Sequence, residues 1–151
     1  MRTAQRHLRF PKLLAAGLAL GMLFASHAAT PLTVTDAWVR VTPGAEVAAA
    51  YFTLHNAGPV AVTVVGVSSP VAAMAMIHET RLVGTQSTMR ARAEVVVAPG
   101  ATVRFAPEGL HVMLHDLKHP LNVGDAVPLV LELKGGGTLE VSARVRPLTA
   151  G

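Results

Sequence analysis

Toward the end of the chain, Val127, Leu129, Leu131 and Leu133 alternate with other residues, Gly135-Gly136-Gly137 interrupts the run, and Leu139, Val141, Ala143 and Val145 alternate again. A period of two puts each apolar set on one face of a strand. Two strands joined by a glycine turn follow, with Glu140, Ser142, Arg144 and Arg146 facing water. Shorter runs rich in Val, Thr and aromatic residues predict further strands over 34–41, 48–55, 60–67, 73–78, 89–97, 102–105 and 112–114. Turn signals separate them at Asn56-Ala57-Gly58-Pro59, Ser68-Ser69-Pro70, Ala98-Pro99-Gly100 and Asn122-Val123-Gly124-Asp125. So many short strands in one domain predict an all-β fold, a Greek-key sandwich of two sheets, because a single open sheet leaves one face uncovered. Trp38, alone among alternating apolar positions, is expected to fill the core of that sandwich.

The first 28 residues do not fit this pattern. Arg2, Arg6, Arg9 and Lys12 precede an apolar stretch from Leu13 to Phe24, and the small residues Ser26 and Ala28 flank His27. This is the layout of a secretory signal peptide, with cleavage expected after Ala28. The apolar stretch is too short to cross about 30 Å of hydrocarbon, which takes about 20 helical residues. The mature domain, residues 29–151, is therefore expected in the periplasm without a membrane anchor.

Composition narrows the chemistry. The 151-residue chain is 51% hydrophobic and 15% charged, which is the opposite of a disordered chain, and it contains no cysteine. Disulfide frameworks, thiolate zinc sites, iron–sulfur clusters, cysteine nucleophiles and blue-copper centres are all excluded. The formal charge of +4 belongs to the leader, because beyond it nine Lys and Arg stand against nine Asp and Glu with no basic cluster. Nucleic-acid binding, which needs such a cluster, is set aside.

The remaining chemistry lies in histidine and methionine. Four Met (Met74, Met76, Met89, Met113) and five His (His55, His78, His111, His115, His119) follow the leader. Each alone reads as core filler or a solvated side chain. His111 and Met113, two apart on a strand, share a face. Together with His78 and Met89 they give the pattern His-x10-Met-x21-His-x-Met.

At this spacing the chain resembles the periplasmic copper chaperones called PCuAC. The resemblance runs through Ala37-Trp38-Val39-Arg40, Ala49-Ala50-Tyr51-Phe52-Thr53-Leu54-His55-Asn56, His78-Glu79, Met89-Arg90, Val97-Ala98-Pro99-Gly100 and Pro107-Glu108-Gly109-Leu110-His111-Val112-Met113-Leu114. It implies a cupredoxin-like β-sandwich holding one Cu(I) per chain on His78, Met89, His111 and Met113. It also implies a copper-accepting partner, such as oxidase subunit II with its binuclear copper site or another copper assembly factor. Donor chemistry agrees with the metal, since two imidazoles and two thioethers are neutral, soft or borderline ligands that suit Cu(I) better than zinc, magnesium or calcium. Imidazole binds only when neutral, so the site is expected to weaken as pH falls through about 6.5.

Some positions depart from the family pattern. Thr80 stands where members of the family often carry a further, optional Met, two residues after the first ligand. Met74 and Met76 alternate with His78 and are expected to pack in the core, with substitution for the missing donor as the alternative. His115 and His119 are expected to be solvated, the alternative being a nitrogen-rich second site, and His55 is assigned no role. Glu79 and Arg90 neighbour ligands in sequence and so point to the opposite face. No His-Glu-x-x-His, Gly-x-Ser-x-Gly or paired-carboxylate arrangement is present, and a non-enzymatic protein is expected. Copper delivery, copper sequestration for resistance, and a non-catalytic protein-binding sandwich remain open on sequence.

Overall fold

The computed structural model describes residues 31–149, and the leader with its cleavage site lies outside them. Ten strands follow one another: β1 (Leu32–Val41), β2 (Ala48–Asn56), β3 (Val62–Ser68), β4 (Ala72–Val83), β5 (Gln86–Ala91), β6 (Val95–Val97), β7 (Thr102–Phe105), β8 (Leu110–Leu117), β9 (Ala126–Leu133) and β10 (Thr138–Val145). They hydrogen-bond in the order β5-β4-β8-β7-β2-β1-β10-β9-β3-β6, with β8 also paired to β2. The two layers expected from the sequence are thus halves of one continuous ladder. A parallel contact between β1 and β10, at Trp38 opposite Arg144 and Val39 opposite Val145, joins them. The halves fold toward each other, and β3 packs against β4 without hydrogen-bonding to it.

Alternation explains what lies between the halves. Val127, Leu129, Leu131, Val141, Ala143 and Val145 point inward from β9 and β10, opposite Phe52, Leu54, Val112 and Leu114 from the other half. The sequence reading of one strand over 89–97 is corrected. Met89 belongs to β5, a hairpin partner of β4, whereas Val95–Val97 forms β6 at the far edge beside β3. The hairpin turns at Gly84 and Thr85, between the paired residues Val83 and Gln86. Gly84 takes a φ of 63°, in the left-handed region open to glycine.

Trp38 is also corrected. It is buried but lies outside the core cluster, because a bulge between Thr35 and Trp38 shifts the register and Val39 is the residue that turns inward. The Trp38 ring packs on Tyr51 with centroids 4.5 Å apart, on the outer face of β1 and β2, beneath the Arg146 guanidinium at 5.4 Å.

The buried Asn56 closes β2. Its amide nitrogen donates to the carbonyls of Val60 at 2.8 Å and Val97 at 3.0 Å, and its side-chain oxygen accepts from Gly58 N–H at 3.0 Å. Asn56→Ala strands those backbone groups. A loss of about 2 kcal/mol is expected, read as a lower urea midpoint with an unchanged slope.

Candidate metal centre

The outer face of the β5-β4-β8-β2 half carries the histidines and methionines. On β8, Val112 and Leu114 are fully buried in the core, so His111, Met113 and His115 emerge on the other side. On β4, Ile77 is buried, so Met74, Met76 and His78 emerge beside them. Antiparallel register pairs them directly: His78 opposite His111, Met76 opposite Met113, Met74 opposite His115. Met89 reaches the same face from β5, where it lies opposite Thr80. Folding thereby gathers His78, Met89, His111 and Met113, which are spread over 36 positions of sequence, onto one outer sheet surface.

His111 sits at the centre of this surface, with only 6% of its area exposed. Its Nδ1 lies 3.0 Å from the carbonyl oxygen of Gly109. A carbonyl only accepts, so Nδ1 carries a proton, and in that neutral tautomer Nε2 presents its lone pair outward. That Nε2 lies 3.2 Å from the sulfur of Met89. Two lone-pair atoms that meet this way are close to the spacing of two ligands on one tetrahedral d10 ion, about 3.5 Å for metal–nitrogen and metal–sulfur bonds of about 2.0 and 2.3 Å. The Gly109 carbonyl also fixes the ring orientation, as outer partners of metal-bound histidines commonly do. Tyr51 lies 6.4 Å from the His111 ring and is itself held by Arg40 Nη2 donating to its hydroxyl at 3.1 Å, giving His111 a rigid aromatic wall.

His78 adds a second imidazole, its ring 5.9 Å from that of His111 and nearly perpendicular to it. Its Nδ1 is buried without a hydrogen-bond partner. A neutral imidazole offers one N–H and one lone pair, and a covered nitrogen with no partner is costly unless something else engages it. Burial, reinforced by the neighbouring imidazoles of His111 and then His115, holds the His78 pKa below its ordinary 6.5. The sign follows from linkage: the unfolded chain takes up this proton near 6.5 while folded His78 resists it, so acid favours unfolding. The metal-free protein is expected to lose stability as pH falls below 6.5, seen as a lower urea midpoint at pH 5 than at pH 7, with a smaller difference in His78→Gln.

The remaining donors differ from expectation in one respect. Met74 and Met76 do not pack in the core: they are 50% and 37% exposed, and Met89 is 55% exposed. The sequence signal was ambiguous because Ala75 and Ile77, which do face inward, make both faces of β4 apolar. His115 joins this outer face, with its ring 6.2 Å from that of His78. His119 lies past the end of β8 against the carbonyl of Pro120. Among the described residues no three or more His, Asp or Glu gather as a metal site, and His115 lies on β8 whereas His119 lies beyond its end. His55 lies elsewhere, bonded to Thr102. Glu79 turns to the reverse face, ion-paired with Arg81 at 3.0 Å and Arg92 at 3.5 Å, and Arg90 lies opposite it in the register.

The molecule is therefore a β-sandwich with a neutral imidazole–thioether cluster on the outside of one layer. Residues 32–145 match the family model described as "Putative lipoprotein LpqE-like". A relative from Leifsonia xyli subsp. xyli, "Putative lipoprotein Lxx21020", is 33% identical over 114 residues, covering 75% of this chain and 68% of that protein. The solution structure of CuI-DR1885 from Deinococcus radiodurans is 33% identical, with a TM-score of 0.65 over 83% of this chain and 85% of that one. The copper-bound PCuAC domain from PmoF2, 21% identical, shares the fold with a TM-score of 0.64 over 80% of this chain and 96% of that one. The chain belongs to the LpqE-like family, part of the PCuAC group, as its sequence resemblance implied.

Proposed function

We propose that this protein is an exported copper chaperone that holds one Cu(I) on His78, Met89, His111 and Met113. The observation that carries the reading is the meeting of His111 Nε2 with the Met89 sulfur at 3.2 Å while Nδ1 is tied to a backbone carbonyl. In the tautomer with the proton on Nδ1 both atoms offer lone pairs, and a soft cation satisfies both. His78, opposite His111, and Met113, two residues along β8, complete a neutral donor set. Thioethers have no proton to lose and form no disulfides, so they suit an oxidising compartment, although conversion to sulfoxide disables them. The Cu(I) held by the 33%-identical DR1885 and the lipoprotein descriptions of the family support binding and export.

In this reading residues 1–28 are a cleaved signal peptide, residues 29–151 act in the periplasm, and the acceptor is the binuclear copper site of cytochrome c oxidase. Bound Cu(I) keeps a single positive charge on neutral ligands. With Met89 more than half exposed, an incoming donor can replace one ligand at a time.

The test is an anaerobic Cu(I) titration against a chromophoric chelator, followed by mixing with the metal-free copper domain of oxidase subunit II. One tight equivalent, lost in His78→Ala and in Met113→Leu and transferred to the acceptor by the wild type, is the expected result. Binding indifferent to both substitutions removes the site, and tight binding without transfer replaces delivery with sequestration.

A further inference from the structure

The donor face does not end at the four residues just assigned. Beyond the His78/His111 pair, the ladder between β4 and β8 continues through Met76 opposite Met113 to Met74 opposite His115. Directly opposed antiparallel residues have Cβ atoms about 5 Å apart, so an imidazole and a thioether that face each other there can reach one ion. Met76, on the same strand face as Met74, supplies a third donor.

These side chains are not explained by packing. Met74 and Met76 are half and more than a third exposed, outside the core cluster. Large apolar side chains held in water beside a histidine cost hydrophobic free energy that burial elsewhere would have recovered. Reverse-face Glu79 is committed to Arg81 and Arg92, so no carboxylate of β4 hardens the donor set.

We propose that Met74, Met76 and His115 form a second site for a soft monovalent cation, Cu(I) or Ag(I). One imidazole and two thioethers give a neutral three-ligand set of the kind that accepts such ions and rejects zinc or magnesium. Three partly exposed ligands bind more weakly than four around the buried His111, so this site fills second. The His78 ring stands between the two, 5.9 Å from the His111 ring and 6.2 Å from the His115 ring. A swing of one imidazole therefore connects them, which makes the second site the place where an ion enters or leaves the first. The proposal extends the Cu(I) reading of the first site, and the experiment separates failure of the one from failure of the other.

The purified protein, labelled with 13C at the methionine methyl groups, is titrated with Ag(I) as a redox-inert probe, and Cu(I) stoichiometry is measured by chelator competition. Two variants are compared with the wild type: Met74→Leu with His115→Ala, and Met89→Leu with His111→Ala. In the wild type, the Met89 and Met113 methyl signals are expected to shift with the first equivalent and those of Met74 and Met76 with the second. The Met74/His115 variant, with its near-ultraviolet dichroism of Trp38 and Tyr51 intact, loses the second equivalent alone. The Met89/His111 variant still shifts Met74 and Met76. Methyl signals of Met74 and Met76 that stay fixed through excess Ag(I), or a second equivalent that survives in the Met74/His115 variant, overturn the proposal and leave the first site standing. Shifts at Met74 and Met76 without a first equivalent at Met89 and Met113 uphold it and remove the first site instead.

Discussion

His111→Ala is expected to weaken Cu(I) binding by more than about 100-fold, beyond the 10–100-fold that loss of an outer partner usually costs a metal site. Three contacts disappear at once. The Nε2 donor is gone, the Met89 sulfur loses the atom 3.2 Å away that orients it, and the Gly109 carbonyl loses its N–H donor at 3.0 Å. Because His111 is nearly buried, alanine also leaves a cavity against Tyr51, so lost affinity has to be separated from lost fold. His111→Gln separates the two. It fills the space and keeps a polar group, yet its amide oxygen is a hard donor that does not suit Cu(I). Chelator competition should show both variants defective in binding, while urea unfolding of the glutamine variant stays near the wild-type midpoint.

Phe52→Ala is expected to cost about 3–5 kcal/mol, the range for truncating a fully buried aromatic side chain. Phe52 is 1% exposed and stacks on Phe105, its direct register partner, with ring centroids 4.3 Å apart and planes tilted by 24°. Against a typical stability of 5–15 kcal/mol this removes a large share of the total. Urea denaturation of the metal-free protein reads the loss directly. The double variant with Phe105→Ala should lose less than the sum of the two single variants, since each truncation already breaks the same stack. Phe52 lies inside the sandwich while its neighbour Tyr51 lies outside beside His111, so the variant couples core and site through one strand. Saturating Cu(I), by favouring the folded form in which the donors are gathered, should raise the urea midpoint of Phe52→Ala toward that of the metal-free wild type.

Local sequence determined much of this protein. The period of two in 127–133 and 139–145 produced β9 and β10 with the inward and outward faces expected of them. The spacing of His78, Met89, His111 and Met113 singled out residues that the structure places on one surface. Thioether as the form of any sulfur donor followed from composition alone, because the chain contains no cysteine.

Other features depended on which elements meet. The stretch 89–97 reads as one apolar strand, yet β5 pairs with β4 and β6 with β3 at opposite edges, because strand pairing is chosen by distant partners and not by the run itself. Trp38 left the core because a bulge changed the register of β1, and a shift of one residue exchanges the two faces of a strand. Met74, Met76 and His115 came to the donor face because Ile77, Val112 and Leu114 were the residues that the opposite half could bury. Alternation sorts side chains into two sets, but only the packing of one half against the other decides which set is covered and which is left to meet a metal.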